Sequence, residues 1–253
     1  MPSLPLPSCR IAAVLVLSLG AIGSPLESQQ SPAPGPGITW WHAAAAVGVY
    51  AALTTVDDQL ERWVRDHRSE TGNGIARIAR RMGEPEVFIP AGLGVLATGV
   101  LSGNRRIREA GVRITSSLVL AGAVVTLGKF SAGRVRPSRS NTDADDFRPF
   151  SGNASAPSGH ATMAFALATA LGDEIHTRWV TIGLYTAAAA AGWSRINDNA
   201  HWTSDVMAGA ALGIVSAKFV SGRLRVFGLR SPLVSAAPNG ATLSWSGTFQ
   251  LHP

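Results

Sequence analysis

The sequence predicts an all-α protein: a helical bundle of about six apolar core helices, followed by a short β-hairpin at the C-terminal end. The first reason is composition, because charged residues make up only 15% and apolar residues 46% of the 253 residues, whereas a soluble domain carries about 25% charged residues. The second reason is that apolar stretches of helical length separate the charges. These features disfavour a disordered chain and a coiled coil. The single cysteine, Cys9, excludes a disulfide framework and a cysteine-based zinc site.

The N-terminal part has the features of a secretion signal. A single charge at Arg10 precedes an apolar run at residues 11–22, which has the length of a signal-peptide core and is too short to span about 30 Å of hydrocarbon. We therefore predict a signal peptide at residues 1–23, with an uncleaved membrane anchor as the alternative. The proline-rich residues 24–37 predict an extended linker.

Six apolar stretches follow, at residues 38–56, 87–103, 112–129, 160–172, 179–193 and 202–220. We expect them to form one domain over residues 38–225 whose helices are transmembrane, since the pair Trp40 and Trp41 suits a membrane–water interface. Between the first two stretches, the charged residues 57–83 predict two short amphipathic helices, divided at Gly72-Asn73-Gly74.

The last segment, residues 226–253, has a different pattern. Leu243, Trp245 and Phe249 alternate with polar residues after Pro238-Asn239-Gly240. This alternation after a turn sequence predicts a β-hairpin tail. An unstructured polar tail is the alternative, since an isolated hairpin is marginal in water.

Three polar clusters interrupt the apolar stretches, at residues 129–137, 157–160 and 194–205. Ionisable residues on apolar helices are candidates for function. Lys129, Arg136 and Arg195 provide three cations, and the planar guanidinium fork matches phosphate oxygens. Ser158 and Gly159 precede a predicted helix, whose N-terminus offers free amides to an anion.

The same clusters contain two histidines and an aspartate. His201 and Asp205 are four residues apart, so on one helix they share a face and can form a hydrogen bond. A carboxylate on one ring nitrogen fixes the tautomer and leaves the other nitrogen free to attack. His160 provides a second imidazole for proton transfer to a leaving group. The pattern predicts a phosphoryl-transfer site that needs no metal.

Written by their fixed positions, the clusters read K-x6-RP, PSGH and SR-x5-H-x3-D. In this order and spacing they resemble the three-part signature of the type-2 phosphatidic acid phosphatase/haloperoxidase superfamily, and every fixed position matches. One motif alone would be weak evidence, whereas the three together are specific. The resemblance covers residues 129–205 and implies a phosphatase without a metal or other cofactor.

The resemblance also implies a role for each matching residue. His201 would attack the phosphorus and form a phosphohistidine, Asp205 would orient His201, and His160 would protonate the leaving group and then activate water. The residues that would hold the phosphate are Lys129, Arg136, Ser158, Gly159 and Arg195.

Several functions stay open. The apolar helices favour a lipid substrate, such as phosphatidate, phosphatidylglycerol phosphate or an isoprenyl diphosphate. A soluble or peripheral periplasmic acid phosphatase of broad specificity is the main alternative, and a vanadate-dependent haloperoxidase is a further one. A phosphate- or lipid-binding protein without activity is disfavoured because His201 and Asp205 are both present. Nucleic-acid binding is disfavoured because no basic stripe is interleaved with aromatic residues.

The loop charges predict the orientation in the cell envelope. Arginine-rich segments at residues 104–113 and 218–230 are expected in the cytoplasm by the positive-inside rule. The three clusters then lie on the extracytoplasmic side. Six spans would also put residues 24–38 in the cytoplasm, which conflicts with a cleaved signal peptide. A periplasmic domain is the alternative that removes the conflict.

The loop after the first cluster carries further charges. We expect Arg134 and Arg139 to be solvated, although both are close enough in sequence to contact a substrate. Asp143, Asp145 and Asp146 are likewise expected to be solvated rather than to form a cation site, because their spacing is not that of a calcium-binding loop.

Overall fold

The computed structural model describes the backbone of residues 11–19, 36–139, 143–231, 233–237 and 240–249, and the side chains of residues 36–139 and 143–231. Its described helices are α1 (Trp40–Asp66), α2 (Glu70–Ala79), a 3₁₀ helix (Arg80–Gly83), α3 (Pro85–Leu101), α4 (Arg105–Ala132), α5 (Gly159–Ile175), α6 (Arg178–Asn197) and α7 (Thr203–Val220). Its described strands are β1 (Ile11–Leu19), β2 (Gly37–Ile38), β3 (Arg225–Val226), β4 (Leu233–Ala237) and β5 (Gly240–Phe249). The predicted helical bundle is confirmed.

Helix α5 lies at the centre of the bundle, in contact with α4, α6 and α7. Its small residues Ala161, Ala164 and Ala168 are fully buried. Gly209 allows α7 to approach α5 closely, because a Cβ atom there would lie 2.5 Å from the carbonyl oxygen of Ser158, closer than packed atoms allow. Small side chains therefore bring the N-terminal ends of α5 and α7 together.

Ion pairs hold the opposite end of the bundle. Arg113 on α4 donates two hydrogen bonds to Glu174 near the end of α5, at 2.6 and 2.8 Å. Asp173 pairs with Lys218 at 2.5 Å and with Arg223 at 3.0 Å. The two arginine-rich segments that the sequence predicts on one side of the membrane thus meet at one end of the helical bundle. We call this end the arginine-rich end (residues 104–113 and 218–230).

Helix α1 begins near this arginine-rich end. Strand β2, just before α1, pairs in parallel with β3, so that Gly37 lies opposite Arg225. From there α1 runs toward the other end of the bundle, where Tyr50 contacts Asp205 of α7. Residues 37–38 are therefore on the same end as the basic segments.

The C-terminal hairpin that the sequence predicts is present. Strands β4 and β5 pair antiparallel on either side of residues 238–239, and β1 pairs with the other edge of β5, with Ile11 opposite Phe249. This pairing does not decide whether residues 1–23 are cleaved, and the signal peptide stays a prediction. The predicted linker lies almost wholly outside the described residues.

Two helix boundaries differ from the sequence prediction. Helix α1 continues through Asp57 to Asp66, because the Asp57 carboxylate is buried and ion-paired rather than solvated. Helix α2 runs through residues 72–74, where the sequence predicts a break. The break lies just before Ser69, whose side chain caps α2 by accepting a hydrogen bond from the Gly72 amide at 3.0 Å.

Three helical stretches are long and apolar enough to cross a membrane: Glu70–Leu101, Arg105–Ala132 and Thr203–Val220. Their exposed side chains include Leu101, Val119 and Met207, which suits contact with lipid. Within the described chain, α1, α5 and α6 do not meet both criteria. Helix α5 has 17 residues and is enclosed by its neighbours, so fewer helices qualify as spans than the sequence predicts.

Candidate active site

The three polar clusters meet at the end of the bundle opposite the arginine-rich end. Lys129 lies in the last turn of α4, and its Cε would be 3.6 Å from a Cβ atom on Gly159. The amide of Ser158 donates to the Asp205 carbonyl oxygen at 3.0 Å, which ties the start of α5 to α7. His201 precedes α7 and lies within hydrogen-bond distance of the loop before α5.

The N-terminus of α5 presents unsatisfied donors. Ser158 is the N-cap residue and is fully buried, and no described residue forms a hydrogen bond with its Oγ. The amides of the first turn of any α-helix lack partners within the helix. Their direction and the helix dipole favour an anion. This end of α5 is thus suited to bind phosphate.

Two of the predicted cations border the same place. The Lys129 ammonium donates to the Ala154 carbonyl oxygen at 2.6 Å. Arg195 pairs with Asp198 at 3.0 Å through one Nη, while its buried Nε has no hydrogen-bond partner in the described structure. Arg136 is half-buried. It follows Val135, whose carbonyl oxygen accepts a hydrogen bond from Trp202 Nε1 at 2.9 Å, so Arg136 lies close to the residue that follows His201.

His201 is held by a backbone carbonyl rather than by Asp205. Its Nδ1 lies 2.7 Å from the Ser155 carbonyl oxygen, and since a carbonyl only accepts, Nδ1 carries the proton. Nδ1 is 3.9 Å from Asp205 Oδ2, beyond hydrogen-bond distance. The predicted direct hydrogen bond is therefore wrong, because α7 begins only at Thr203 and the two residues do not share a helix.

Asp205 nevertheless supports His201 through one intermediate residue. Its Oδ2 accepts a hydrogen bond from Ser155 Oγ at 2.5 Å and one from the Trp202 amide at 3.2 Å. Ser155 thus links the carboxylate, through its side chain, to the imidazole, through its backbone carbonyl. This arrangement fixes the tautomer in which the lone pair is on Nε2.

The guanidinium of Arg134 is completely buried, so the expectation of a solvated loop charge is wrong. It donates to Asp205 Oδ1 at 2.7 Å and to Asp57 Oδ2 at 2.9 Å. It also donates twice to the Ala144 carbonyl oxygen, at 2.9 and 2.7 Å. The aromatic rings within 6 Å of the guanidinium carbon are those of Tyr50, Phe147 and Trp202.

Helix α1 contributes residues to the site that sequence reasoning missed. Asp57 accepts hydrogen bonds from the amide of Ser204 at 3.0 Å and from its hydroxyl. The Tyr50 hydroxyl donates to Asp205 at 3.2 Å. Asp57 directly follows an apolar stretch, and this position could have indicated a buried carboxylate with a cation as its partner. The charges that follow Asp57 in the sequence instead favoured its interpretation as the start of a charged segment.

Residues of the loop 143–148 form hydrogen bonds with other residues of the protein. Asp146 pairs with Arg148 through two hydrogen bonds, at 2.8 and 2.7 Å, and the Ala144 amide donates to Asp58 at 3.1 Å. In the described parts of the chain, no group of three or more histidine, cysteine, aspartate or glutamate residues is arranged to hold a metal ion.

The pKa values of both histidines are lowered in the free site, which favours their neutral forms. Burial lowers the pKa of His201, and the nearby charge of Lys129 acts in the same direction. Burial and then the charge of Arg195 lower the pKa of His160 to about 4. A neutral His201 with a free Nε2 can act as a nucleophile, whereas His160 must gain a proton before it can act as an acid.

We expect Arg134→Met to destabilise the protein by about 3–5 kcal/mol, because it leaves the carboxylates of Asp57 and Asp205 buried without their cation. Chemical unfolding of the purified protein in detergent measures this. Arg139→Met is the matched control, since Arg139 is exposed and its loss should change stability by at most about 0.5 kcal/mol. Equal stabilities of the two variants would contradict the structural role of Arg134.

Comparison with known families identifies the region around the site. Residues 110–225 match the model of the PAP2 superfamily. This range contains all three polar clusters, most of α4, and the helices α5 to α7.

Two characterised relatives share part of the sequence. Lipid A 1-phosphatase of Porphyromonas gingivalis is 42% identical over 100 residues, which are 39% of this chain and 20% of that protein. The match thus spans about a fifth of the length of that relative. Undecaprenyl-diphosphatase of Sulfolobus acidocaldarius is 26% identical over 155 residues, which are 61% of this chain and 72% of that protein.

Two solved structures share the fold. LpxE of Aquifex aeolicus superposes with a TM-score of 0.51 at 22% identity, covering 64% of this chain and 93% of LpxE. The transmembrane PAP2 type phosphatidylglycerolphosphate phosphatase of Bacillus subtilis superposes with a TM-score of 0.56 at 19% identity, covering 71% of this chain and 94% of that protein. The match of residues 110–225 to the PAP2 superfamily model confirms the resemblance that the three motifs indicate, and the two solved structures share the fold.

Proposed function

We propose that the protein is a membrane-bound lipid phosphatase that works through a phosphohistidine on His201. The observation that carries this proposal is the setting of His201. Its Nδ1 is fixed by Ser155, so Nε2 holds the lone pair, and Ser158 and Arg195 provide buried donors without partners among the described residues. A fixed nucleophile beside a ready anion site is the arrangement that phosphoryl transfer requires.

In the first step, the Nε2 lone pair of His201 attacks the phosphorus and forms a P–N bond. The bond between phosphorus and the leaving oxygen breaks, and its electron pair goes to that oxygen. Protonated His160 donates a proton to the same oxygen, and the alcohol or lipid monophosphate departs. The charge on the equatorial phosphate oxygens is balanced by Lys129, Arg136 and Arg195.

In the second step, neutral His160 takes a proton from water as the water oxygen forms a bond with phosphorus. The P–N bond breaks and its electron pair returns to Nε2 of His201. Inorganic phosphate leaves, and both imidazoles are back in the states in which they began the first step, since His160 has regained its proton from water. No other group is consumed in the cycle.

The substrate itself helps to protonate His160. In the free site, burial and the surrounding cations hold the pKa of His160 at about 4. A bound phosphate brings up to two negative charges close to the ring, which offset those cations and raise the pKa. His160 therefore gains its proton when a substrate is present.

The substrate class follows from the relatives and the helices. The names of the two relatives and of the Bacillus subtilis structure refer to lipid A, undecaprenyl diphosphate and phosphatidylglycerol phosphate. These lipids differ in the rest of the molecule but each carries a phosphate or diphosphate. The apolar stretches of this chain would place the site within reach of such lipids.

The proposal includes the side of the membrane. The arginine-rich end lies opposite the site, so the positive-inside rule puts that end in the cytoplasm and the site on the extracytoplasmic side. The pairing of β2 with β3 brings residues 37–38 to the arginine-rich end, which is the end that we propose to be cytoplasmic. This supports an uncleaved N-terminal segment over a cleaved signal peptide.

Loss of His201 should abolish catalysis, whereas loss of His160 should trap the intermediate. We expect His201→Ala to release no phosphate and to take up no radiolabel from a phosphorylated lipid. With p-nitrophenyl phosphate, whose leaving group needs little protonation, His160→Ala should accumulate an acid-labile phosphoprotein, because water is no longer activated. Phosphate release and covalent labelling measure the two effects.

The matched control is His67→Ala, since His67 is exposed at the C-terminal end of α1 and, in the described structure, its ring contacts only Trp63, through the carbonyl oxygen and by stacking. It should keep full activity. Labelling of His201→Ala would reject His201 as the nucleophile. Release of phosphate from the soluble ester but from no lipid phosphate would reject the lipid substrate.

The protonation of His160 should depend on phosphate. We expect its ring to remain neutral from pH 8 down to well below 6.5, the ordinary histidine pKa of about 6.5 being lowered to about 4. Adding inorganic phosphate should move the titration to higher pH. Nitrogen NMR of labelled histidines in detergent, assigned with His160→Ala, measures both. An ordinary pKa without phosphate, or no change with it, would contradict this account.

The orientation predicts opposite results at two loops. A reporter phosphatase that is active only outside the cytoplasm should be active when fused after Gly152, near the site, and inactive when fused after Gly103, at the arginine-rich end. Both positions are exposed loop glycines, so the fusions disturb the bundle equally little. The reverse pattern would place the site in the cytoplasm.

A further inference from the structure

A fourth cation borders the site from outside the three motifs. Arg80 lies in the 3₁₀ helix between α2 and α3. The last residue of this helix, Gly83, packs on the backbone of His160, because a Cβ atom there would lie 2.5 Å from the His160 carbonyl oxygen and 2.8 Å from its Cα. The position of the 3₁₀ helix relative to His160 is therefore tightly constrained.

Arg80 and Arg195 share one carboxylate. Asp198 Oδ2 lies 3.0 Å from an Nη of Arg195 and 3.9 Å from an Nη of Arg80. The Nε of Arg80 is 3.3 Å from Glu84 but is buried and forms no hydrogen bond within the described chain. Two guanidinium groups thus flank one anionic oxygen at the rim of the site. The Nε–H of Arg80 is a donor that a substrate oxygen could use.

The charge of Arg80 acts on ionisable groups of the site. It is among the cations that lower the pKa of His160 and that of Arg195. By contrast, the next residue, Arg81, is exposed. Because Gly83 of the same 3₁₀ helix packs on the backbone of His160, Arg80 lies on the His160 side of the phosphate site, where the proposed mechanism puts the leaving group.

We propose that Arg80 is a specificity-determining residue that binds an anionic leaving group and so favours lipid diphosphates over lipid monophosphates. This inference rests on the proposed function. When a diphosphate reacts, His201 attacks the terminal phosphorus, the bridging P–O bond breaks, and its electron pair stays on the departing lipid monophosphate. His160 protonates that bridging oxygen, and the remaining negative charge faces Arg80.

A monophosphate gives Arg80 nothing to bind. Its leaving oxygen is attached to carbon, and the alcohol that departs is neutral once His160 has protonated it. A departing phosphate, whose second pKa is about 6, still carries at least one negative charge at neutral pH. Arg80 therefore binds the leaving group in one reaction and not in the other, whereas its influence on His160 is common to both. The effect of leaving-group binding is thus measurable as a ratio of the two activities.

The test compares one isoprenyl chain carrying either a diphosphate or a monophosphate, with the full-length protein in detergent. We expect Arg80→Gln to lower kcat/KM for the diphosphate by about 10–100-fold, as for the loss of a hydrogen bond to a charged group. The monophosphate should change by less than about 2-fold. Arg81→Gln is the matched control and should change neither, and Arg80→Lys should restore part of the diphosphate activity.

A second measurement does not depend on turnover of the diphosphate. Inorganic pyrophosphate and inorganic phosphate should both inhibit hydrolysis of p-nitrophenyl phosphate. Arg80→Gln should weaken inhibition by pyrophosphate about 10-fold or more and leave inhibition by phosphate unchanged.

The outcomes separate this inference from the proposed function. An equal loss on both substrates, or no loss on either, would overturn the role of Arg80 while leaving the phosphatase intact. The role of Arg80 would also be overturned if the wild-type protein hydrolyses monophosphates and the Arg80→Gln variant hydrolyses diphosphates as fast as the wild type does. If wild-type protein releases phosphate from no substrate, the proposed function itself is wrong and the inference falls with it.

Discussion

The buried guanidinium of Arg134 is the interaction on which the rest of the site depends. It joins three parts of the chain that are far apart in sequence: Asp57 on α1, Ala144 in the loop before α5, and Asp205 on α7. A buried arginine is stable only when its charge is paired and its donors are used. Arg134 satisfies both conditions, and aromatic rings exclude water around it. Removing any one partner would leave a buried charge, so the network holds together as a unit.

The network reaches the chemistry through Ser155. Asp205, fixed by Arg134, accepts the Ser155 hydroxyl, and the Ser155 carbonyl accepts the Nδ1 proton of His201. A histidine placed before a helix cannot rely on a partner four residues away in the same helix. The protein instead uses a loop residue that bonds in two directions, which fixes both the ring and its tautomer. Asp205 therefore acts on His201 mainly as a positioning residue.

The sequence predicted the residues that face the proposed substrate better than those that hold them. Lys129, Ser158 and His201 were identified because local spacing and residue type mark them. The start of α5 was predicted within one residue, since a serine just before an apolar stretch is a signal for a helix start. The support was missed because it is long-range: the Arg134–Asp57 pair spans 77 positions, and no periodicity in either segment reveals the other. The same reason explains why α1 was expected to end at Asp57, where a charge that looked solvated is in fact buried.

The network also has a charge imbalance that bears on the proposed intermediate. One guanidinium faces two carboxylates, so the buried group carries one net negative charge when both are ionised. Ser155 links His201 to this group, and the charges of Lys129 and Arg136 also act on its ring. Transfer of a phosphoryl group to Nε2, with Nδ1 still protonated, puts a positive charge on the imidazole and leaves the phosphate oxygens facing the cations. The carboxylates behind the ring then stabilise the ring charge, and the cations in front stabilise the phosphoryl charge. The second carboxylate, Asp57, would therefore stabilise the intermediate more than the free protein, although it does not touch the histidine.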